Sequence, residues 1–245
     1  MIKLPAYFIS DLHFQMNFSK SENKRRKKLF ALFQRIKEEN ATLIIGGDFF
    51  DFWFEYKNVI PKGYDSLVHE LKLLSETIDI HYVLGNHDFW DFGFFENVLN
   101  IHTHYNDLDF KINNKKIKVT HGDGILKNDS GYRIMKKIIR HKVFINLFNL
   151  INPNIGCAIA KKISKTSSHF NHTPSNLDSK LKYEIVNYWT ENWMPNYDTV
   201  LIGHYHLDGI EDNNNKKLIF MGDWINKFTV TKIDYNLMSS QFICN

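Results

Sequence analysis

The chain is poor in cysteine: its 245 residues include only Cys157 and Cys244. They lie far apart and neither sits in a C-x-x-C pair, which excludes a disulfide framework and a zinc finger. Two lone cysteines fit a reducing compartment. Long apolar runs are missing as well. The longest, Val143 to Ile151, is interrupted by Asn146 and Asn149 and is too short to span a bilayer. The stretch Met1 to Ser10 lacks an apolar core followed by a small-residue cleavage site, so no signal peptide is expected. Internal repeats and low-complexity linkers are not found. These absences predict one cytoplasmic globular domain over residues 1–245, long enough to bury its own core without a staple. Acidic residues are scarce in one place. Between Lys127 and Lys165 stand nine basic residues and a single acid, Asp129, so a segment of +8 is set into a body of −4.

What is present is a series of short apolar runs alternating with amphipathic stretches, the pattern of an α/β fold. The endings of five runs are informative. Ala6–Ser10 ends in Asp11-Leu12-His13, and Thr42–Ile45 in Gly46-Gly47-Asp48. His81–Leu84 ends in Gly85-Asn86-His87-Asp88, and Ile117–Thr120 in His121-Gly122-Asp123. Thr199–Ile202 ends in Gly203-His204-Tyr205-His206. Lys24–Asn40 and Ser66–Ile78 carry apolar residues at helical spacing. Phe110–Ile112 and Lys115–Thr120 read as a hairpin closed by Asn113-Asn114. Leu218–Gly222, Phe228–Ile233 and Gln241–Cys244 read as antiparallel strands, with a turn over Asn213–Lys217.

In open α/β folds functional groups gather beyond the carboxyl ends of the strands. The five ends here carry Asp11, His13, Asp48, Asn86, His121, His204 and His206. Two carboxylates, one amide and four imidazoles are too many for one tetrahedral site and suit two metals of five or six ligands sharing a carboxylate. An all-oxygen-and-nitrogen set favours manganese, iron or zinc. Two metals roughly 3.5–4 Å apart would clamp and activate a nucleophile for attack on phosphorus. D-x-H or G-G-D alone is weak evidence. All five motifs in order, each after an apolar strand, are not expected by chance.

The set resembles the calcineurin-like metallophosphoesterase superfamily over nearly the whole chain. The resemblance implies two β-sheets flanked by helices, with two metals between loops at the strand ends. It implies one metal on Asp11, His13, Asp48 and His206, and a second on Asp48, Asn86, His121 and His204. It makes His87 a non-ligand histidine that donates to the phosphate or protonates the leaving group. Asp88 would orient His87, or cap a helix starting at Phe89-Trp90. Within the superfamily the chain is most similar to the UDP-2,3-diacylglucosamine diphosphatase branch. The matching stretches are Gly47–Tyr56, Gly85–Trp90, His121-Gly122-Asp123 followed by Asp129-Ser130-Gly131-Tyr132, and Met221-Gly222-Asp223-Trp224. In one well-known part of that branch arginine follows the ligand asparagine; here it is His87, as in the wider superfamily.

The basic segment carries two amphipathic patterns. Ile134, Met135, Ile138 and Ile139 share one face opposite Arg133, Lys136, Lys137 and Arg140. Phe144, Leu147, Phe148 and Ile151 follow, and a third short helix is expected over Ile155–Ile163. The segment reads either as a helical pair packed on the body or as a cap over the metals, inserted at about residues 128–175. The resemblance favours a cap with an apolar lining for acyl chains. It places Asp129, Ser164, Lys165, Ser168 and Asn171 on the sugar and phosphate, beside Asn86, His87 and His204. It further implies two divalent ions, manganese first among them, a lipid-linked UDP-sugar substrate, and a monomer peripheral on the cytoplasmic face of the inner membrane. The rivals are a nuclease or nucleotide phosphodiesterase on the same scaffold, and a non-catalytic scaffold. Nucleic acid is not expected, because the apolar residues here are not a stacking platform.

Overall fold

In the computed structural model, which describes residues 2–56, 59–156, 158–159 and 175–244, the alternating pattern builds two mixed sheets. The first runs in the order Ser239–Ile243 (β11), Thr229–Ile233 (β10), Ala6–Ile9 (β1), Thr42–Ile45 (β2), Ile80–Val83 (β3) and His102–His104 (β4). The second runs Leu108–Ile112 (β5), Lys115–Thr120 (β6), Thr199–Ile202 (β7), Lys216–Met221 (β9) and Asp208–Asn213 (β8). β1 to β4 are parallel neighbours, and β6, β7 and β9 are parallel to one another. The α/β class and the five motif-bearing strands agree with the sequence.

Each central strand is buried on both faces, because its side chains alternate between two layers. Ala6, Phe8 and Ile44 face Val119, Leu201 and Ile219 between the sheets. Tyr7, Ile9, Leu43 and Ile45 face outward onto Leu29, Leu32 and Phe33 of α1 (Lys20–Glu38) and Leu67 and Leu71 of α2 (Asp65–Ser75). On the far side Val200 and Phe220 pack on Ile185 and Trp189 of the helix Ser175–Asn192. The result is two sheets between layers of helix. α1 begins four residues before the expected start because Ser19 caps it, accepting from the Glu22 amide at 3.2 Å. Asn113 and Asn114 both take left-handed φ, 47° and 65°, as a two-residue hairpin requires.

Two expectations need correction. The three C-terminal strands do not form one antiparallel set. β9 belongs to the second sheet, parallel to β7, and only β10 and β11 pair antiparallel in the first. The reason is that β9 follows an edge hairpin with β8, a strand with little apolar character. Nor does a helix start at Phe89-Trp90: the short α3 is Phe94–Asn97 and Gly93 precedes it.

The basic segment forms α4 (Ser130–Ile139) and α5 (Lys142–Asn149). Phe148 is buried against Phe54 and Trp90, whereas Ile134, Ile138, Leu147 and Leu150 are exposed. Part of the expected third helix, and Cys157, Ser164, Lys165, Ser168 and Asn171, lie outside the described residues. Among the described residues, no helix is long and apolar enough to cross a membrane.

His81 on β3 sits between His102 and His104 of β4, with ring centroids 4.8 and 5.3 Å away and its Nδ1 3.0 Å from His104 Nε2. Burial pushes His81 down to about 4, the neighbouring imidazoles add to this, and Asp79 opposes it. The folded chain therefore refuses a proton that the unfolded chain accepts near pH 6.5. This group's stabilisation is complete above that pH and is lost as pH falls towards 4. Urea midpoints should thus drop less between pH 7 and pH 5 in His81→Phe than in the parent; equal drops would remove His81 from the account.

Candidate metal centre

The loops after β1, β2 and β3 lie side by side in one sheet and those after β6 and β7 side by side in the other. All five meet at one end of the sandwich. Each loop must turn sharply to aim its side chains at a common point. Asp11, His13, Asp48, His204 and His206 all adopt left-handed φ, between 44° and 67°. Such conformations cost of order 1–3 kcal/mol each outside glycine and persist only where the surroundings hold them. The packing is equally tight. A side chain at Gly85 would place its Cβ 2.0 Å from Asp48 Oδ1, and one at Gly47, whose φ is +100°, 2.4 Å from His121 Nδ1.

Asp48 lies in the middle, almost fully buried. Its Oδ2 is 3.7 Å from His13 Nε2 on one side and 3.3 Å from His121 Nε2 on the other. Asp11 Oδ1 is 3.8 Å from His13 Nε2 and 3.6 Å from His206 Nε2. His121 Nε2 is also 3.0 Å from Asn86 Oδ1. Ligand atoms of Asp11, His13 and His206 gather within 4.8 Å of one another, and so do those of Asp48, His121 and His204. The seven sequence-predicted residues are thereby brought together around Asp48.

The hydrogen bonds orient these groups. The His204 amide donates to both Asp11 oxygens, at 3.0 and 2.9 Å, tying the first motif to the last. His121 Nδ1 contacts the Gly46 carbonyl at 2.9 Å, which assigns the proton to Nδ1 and turns Nε2 inward. His87 Nδ1 contacts the Asp51 carbonyl at 2.5 Å, and its ring stands edge-on to His13. Asp88 does not hold His87, contrary to expectation. Its carboxylate accepts from the Phe49 amide at 2.8 Å, the Gly85 amide at 2.7 Å and the Tyr82 hydroxyl. It braces the two loops that carry Asp48 and Asn86, and orienting His87 falls to the Asp51 carbonyl.

The electrostatics are those of a cation site. Burial favours neutral carboxyls, yet the adjacent His13 and then His206 and His121 hold Asp11 below its ordinary value, and His121 and His87 hold Asp48 well below. Burial likewise opposes a charged His121, but Asp48 and Asp11 push it up to about 10. His204 is driven the other way, to about 4, by burial and then by His121. Asp88 is pushed up to about 6 by burial and by Asp48. Two buried carboxylates call for positive charge here. Among the described residues, the buried His13 Nε2 has no hydrogen-bond partner and stands 3.8 Å from Asp11 Oδ1 and 3.7 Å from Asp48 Oδ2. The donor set and this nitrogen fit divalent metal.

The family model of calcineurin-like phosphoesterases matches residues 4–224, which take in every one of these motifs. The chain belongs to the calcineurin-like phosphoesterase family. It is a metal-dependent hydrolase. It is 27% identical to UDP-2,3-diacylglucosamine hydrolase of Porphyromonas gingivalis over 239 residues, covering 89% of this chain and 90% of that one. It is 26% identical to the protein of that name from Neisseria meningitidis serogroup A over 245 residues, 94% of each chain. Among solved structures, Yfce, a phosphoesterase from E. coli, aligns over 99% of this chain and 100% of its own, with 16% identity and a TM-score of 0.46.

One residue beside the phosphoesterase centre, Arg25, gave no signal in the sequence. Arg25 looks like one more charge on the exposed face of α1. It is half-buried instead, donating from Nε to the Trp224 carbonyl at 3.0 Å and from Nη2 to the Leu12 carbonyl inside the D-x-H motif. Asp223 accepts from the amides of Ile225, Asn226 and Lys227 and lies 4.0 Å from His206 Nδ1. Asp129 stands at the N-terminus of α4, without a capping bond from its side chain. Of the four basic residues opposite the apolar face, Lys137 is exposed and the other three turn inward. Arg133 donates to the Gly124 and Leu126 carbonyls, and Lys136 and Arg140 turn in towards Asp123.

Proposed function

We propose that this phosphoesterase hydrolyses the diphosphate of UDP-2,3-diacylglucosamine, releasing UMP and 2,3-diacylglucosamine 1-phosphate for lipid A synthesis. The observation that carries the reading is the pairing of the buried donor cluster with α4 and α5. These helices anchor their polar side beside His121 and leave Ile134, Ile138, Val143, Leu147 and Leu150 exposed. A water-soluble substrate needs no such face; two acyl chains do. The names of the relatives support the same substrate. α4 and α5 belong to a cap inserted at about residues 128–175 in a single domain. The inward turn of Arg133, Lys136 and Arg140 speaks against a nucleic-acid track, whose cations must face phosphates along a groove.

In this reading Asp11, His13, Asp48 and His206 hold one divalent cation, and Asp48, Asn86, His121 and His204 the other. Manganese suits the oxygen and nitrogen donors. The cations supply Lewis-acid polarisation of the phosphoryl oxygens and activate water. The chain's own groups do the rest. Asn86 and His204 fix the phosphoryl group. His87, with Nδ1 on the Asp51 carbonyl, presents Nε2 to donate a proton towards the departing phosphate. Asp129, Ser164, Lys165, Ser168 and Asn171 contact the sugar and phosphate. The protein works as a monomer, peripheral on the cytoplasmic face of the inner membrane. Lys127, Lys137 and Lys142 remain exposed, and about 1 kcal/mol per basic residue near an anionic surface draws the protein there, so binding weakens as salt rises.

The test is UMP release from UDP-2,3-diacylglucosamine against UDP-glucosamine by the manganese-loaded protein. Hydrolysis of the diacylated substrate is expected to dominate; equal rates, or none beside active cleavage of a chromogenic phosphodiester, would overturn the reading. Leu147→Asp combined with Leu150→Asp sharpens it. Both side chains are exposed, so the fold is spared, unlike Phe148→Asp, which would break the packing on Phe54 and Trp90. Each apolar side chain buried against lipid contributes about 1.5–3 kcal/mol. The double variant should therefore lose roughly tenfold or more on the diacylated substrate relative to the small diester.

A further inference from the structure

Tyr132, Lys136 and Arg140 are spaced four residues apart on α4 and reach one oxygen, Asp123 Oδ2. Tyr132 Oη donates at 2.8 Å, Lys136 Nζ lies at 2.7 Å and Arg140 Nη2 at 3.6 Å. Asp123, its side chain only 6% exposed, stands two residues after His121, so one face of the helix is pinned beside the donor cluster. The three contacts are unequal. The tyrosine and the lysine are committed to Asp123 at full hydrogen-bond strength. Arg140 is not. Among the described residues its oxygen partners are Asp123 at 3.6 Å and the Gly85 carbonyl at 3.4 Å, both at the long limit. A guanidinium carries five N–H donors in a rigid fork.

The guanidinium is nevertheless held in place. Its Cζ lies over the Phe89 ring, 3.8 Å from the centroid, and the side chain is only 19% exposed. The Trp90 indole fixes the backbone beside it, donating to the Ile139 carbonyl at 3.0 Å. Arg140 thus stands against Gly85, next to Asn86, where the charges of Asp48 and Asp88 reach it. It lines a cavity of about 440 Å³ together with His121, Asp123, Lys136 and Trp193. A stacked, immobilised arginine with weakly used donors, facing a cavity beside a phosphoester-cleaving centre, has the form of a phosphate fork.

We propose that Arg140 binds the second phosphoryl group of a diphosphate substrate, the one not held at the Asp48 cluster, and so selects diphosphates over single phosphoesters. Asp123 and Lys136 position it: their bond anchors α4 and leaves Arg140 as the surplus cation. The inference rests on the reading that the substrate contains a diphosphate, and its test does not require the lipid.

The test is calorimetric binding of UDP and of UMP to the manganese-loaded protein. Both probes carry the same nucleoside, so the ratio of their dissociation constants isolates the second phosphoryl group. Hydrogen bonds to charged groups predict a preference for UDP of roughly 10–100-fold in the parent. In Arg140→Gln the preference should collapse to within about threefold, whatever the residual activity. Arg140→Lys keeps a charge and loses the fork, and should retain only part of the preference. Should Arg140→Gln not fold, Arg140→Lys decides, because its ratio must still fall. A parent without preference, or variants that keep the parent's ratio, would overturn the proposal. A parent that prefers UDP yet releases no UMP from UDP-2,3-diacylglucosamine would overturn the substrate reading and leave Arg140 standing.

Discussion

Asp48→Asn is expected to strip metal from the protein and reduce hydrolysis by roughly 10³-fold or more. The side chain lies between His13 and His121, 3.7 and 3.3 Å from their Nε2 atoms. It is the carboxylate placed between an imidazole of each set. A bridging carboxylate offers an anionic oxygen to each of two cations; the amide keeps the shape and removes the charge. Loss of Lewis-acid stabilisation worth several kcal/mol converts to that factor or more. The change should not unfold the chain, since the amide still fits beneath Gly85. Elemental analysis is the direct readout: two divalent ions per parent chain, and fewer than one in the variant. A variant that keeps both ions and its activity would show that Asp48 does not bridge.

His87→Ala should do the opposite to metal and nearly as much to rate. Turnover is expected to fall roughly 10²–10⁴-fold, the range for removal of a general acid, with both ions retained. The prediction is exposed to a specific alternative. Ligand atoms of His13, Asp48 and His87 also come within 4.8 Å of one another, a spacing that a metal ligand would share. The Asp51 carbonyl takes Nδ1 and leaves Nε2 free for either use, so the metal content of the variant is the deciding readout. A leaving group that needs no protonation, such as p-nitrophenolate, should suffer least from the substitution. Loss of a metal ion from His87→Ala would make the residue a ligand instead.

Much of the chemistry was legible in the sequence because it resides at strand ends. A run such as Thr42–Ile45, buried on both faces and followed by Gly46-Gly47-Asp48, declares a buried strand and the residue delivered at its carboxyl end. The seven clustered residues, the α/β class and the amphipathic character of α4 follow from such local patterns. The resemblance to the phosphoesterases then assigned roles to His87 and Asp129 that spacing alone could not.

What the sequence by itself determined is therefore local: which segments become strands and helices, and which side chains leave their ends. The tertiary structure decided everything that depends on two distant segments meeting. It gave Asp88 to the Phe49 and Gly85 amides and left His87 to the Asp51 carbonyl. It turned Arg25 in to the Leu12 and Trp224 carbonyls, where the helix pattern showed only another surface charge. It sent β9 to the second sheet because parallel pairing with β7 is set by the layers and not by neighbours in the chain. It also turned Lys136 and Arg140 inward to Asp123, so that the apolar side of α4 faces outward. An amphipathic pattern identifies two faces of a helix. Which one meets the body depends on the charge it finds there, and here that charge is a buried carboxylate more than a dozen residues away on Arg140's own chain.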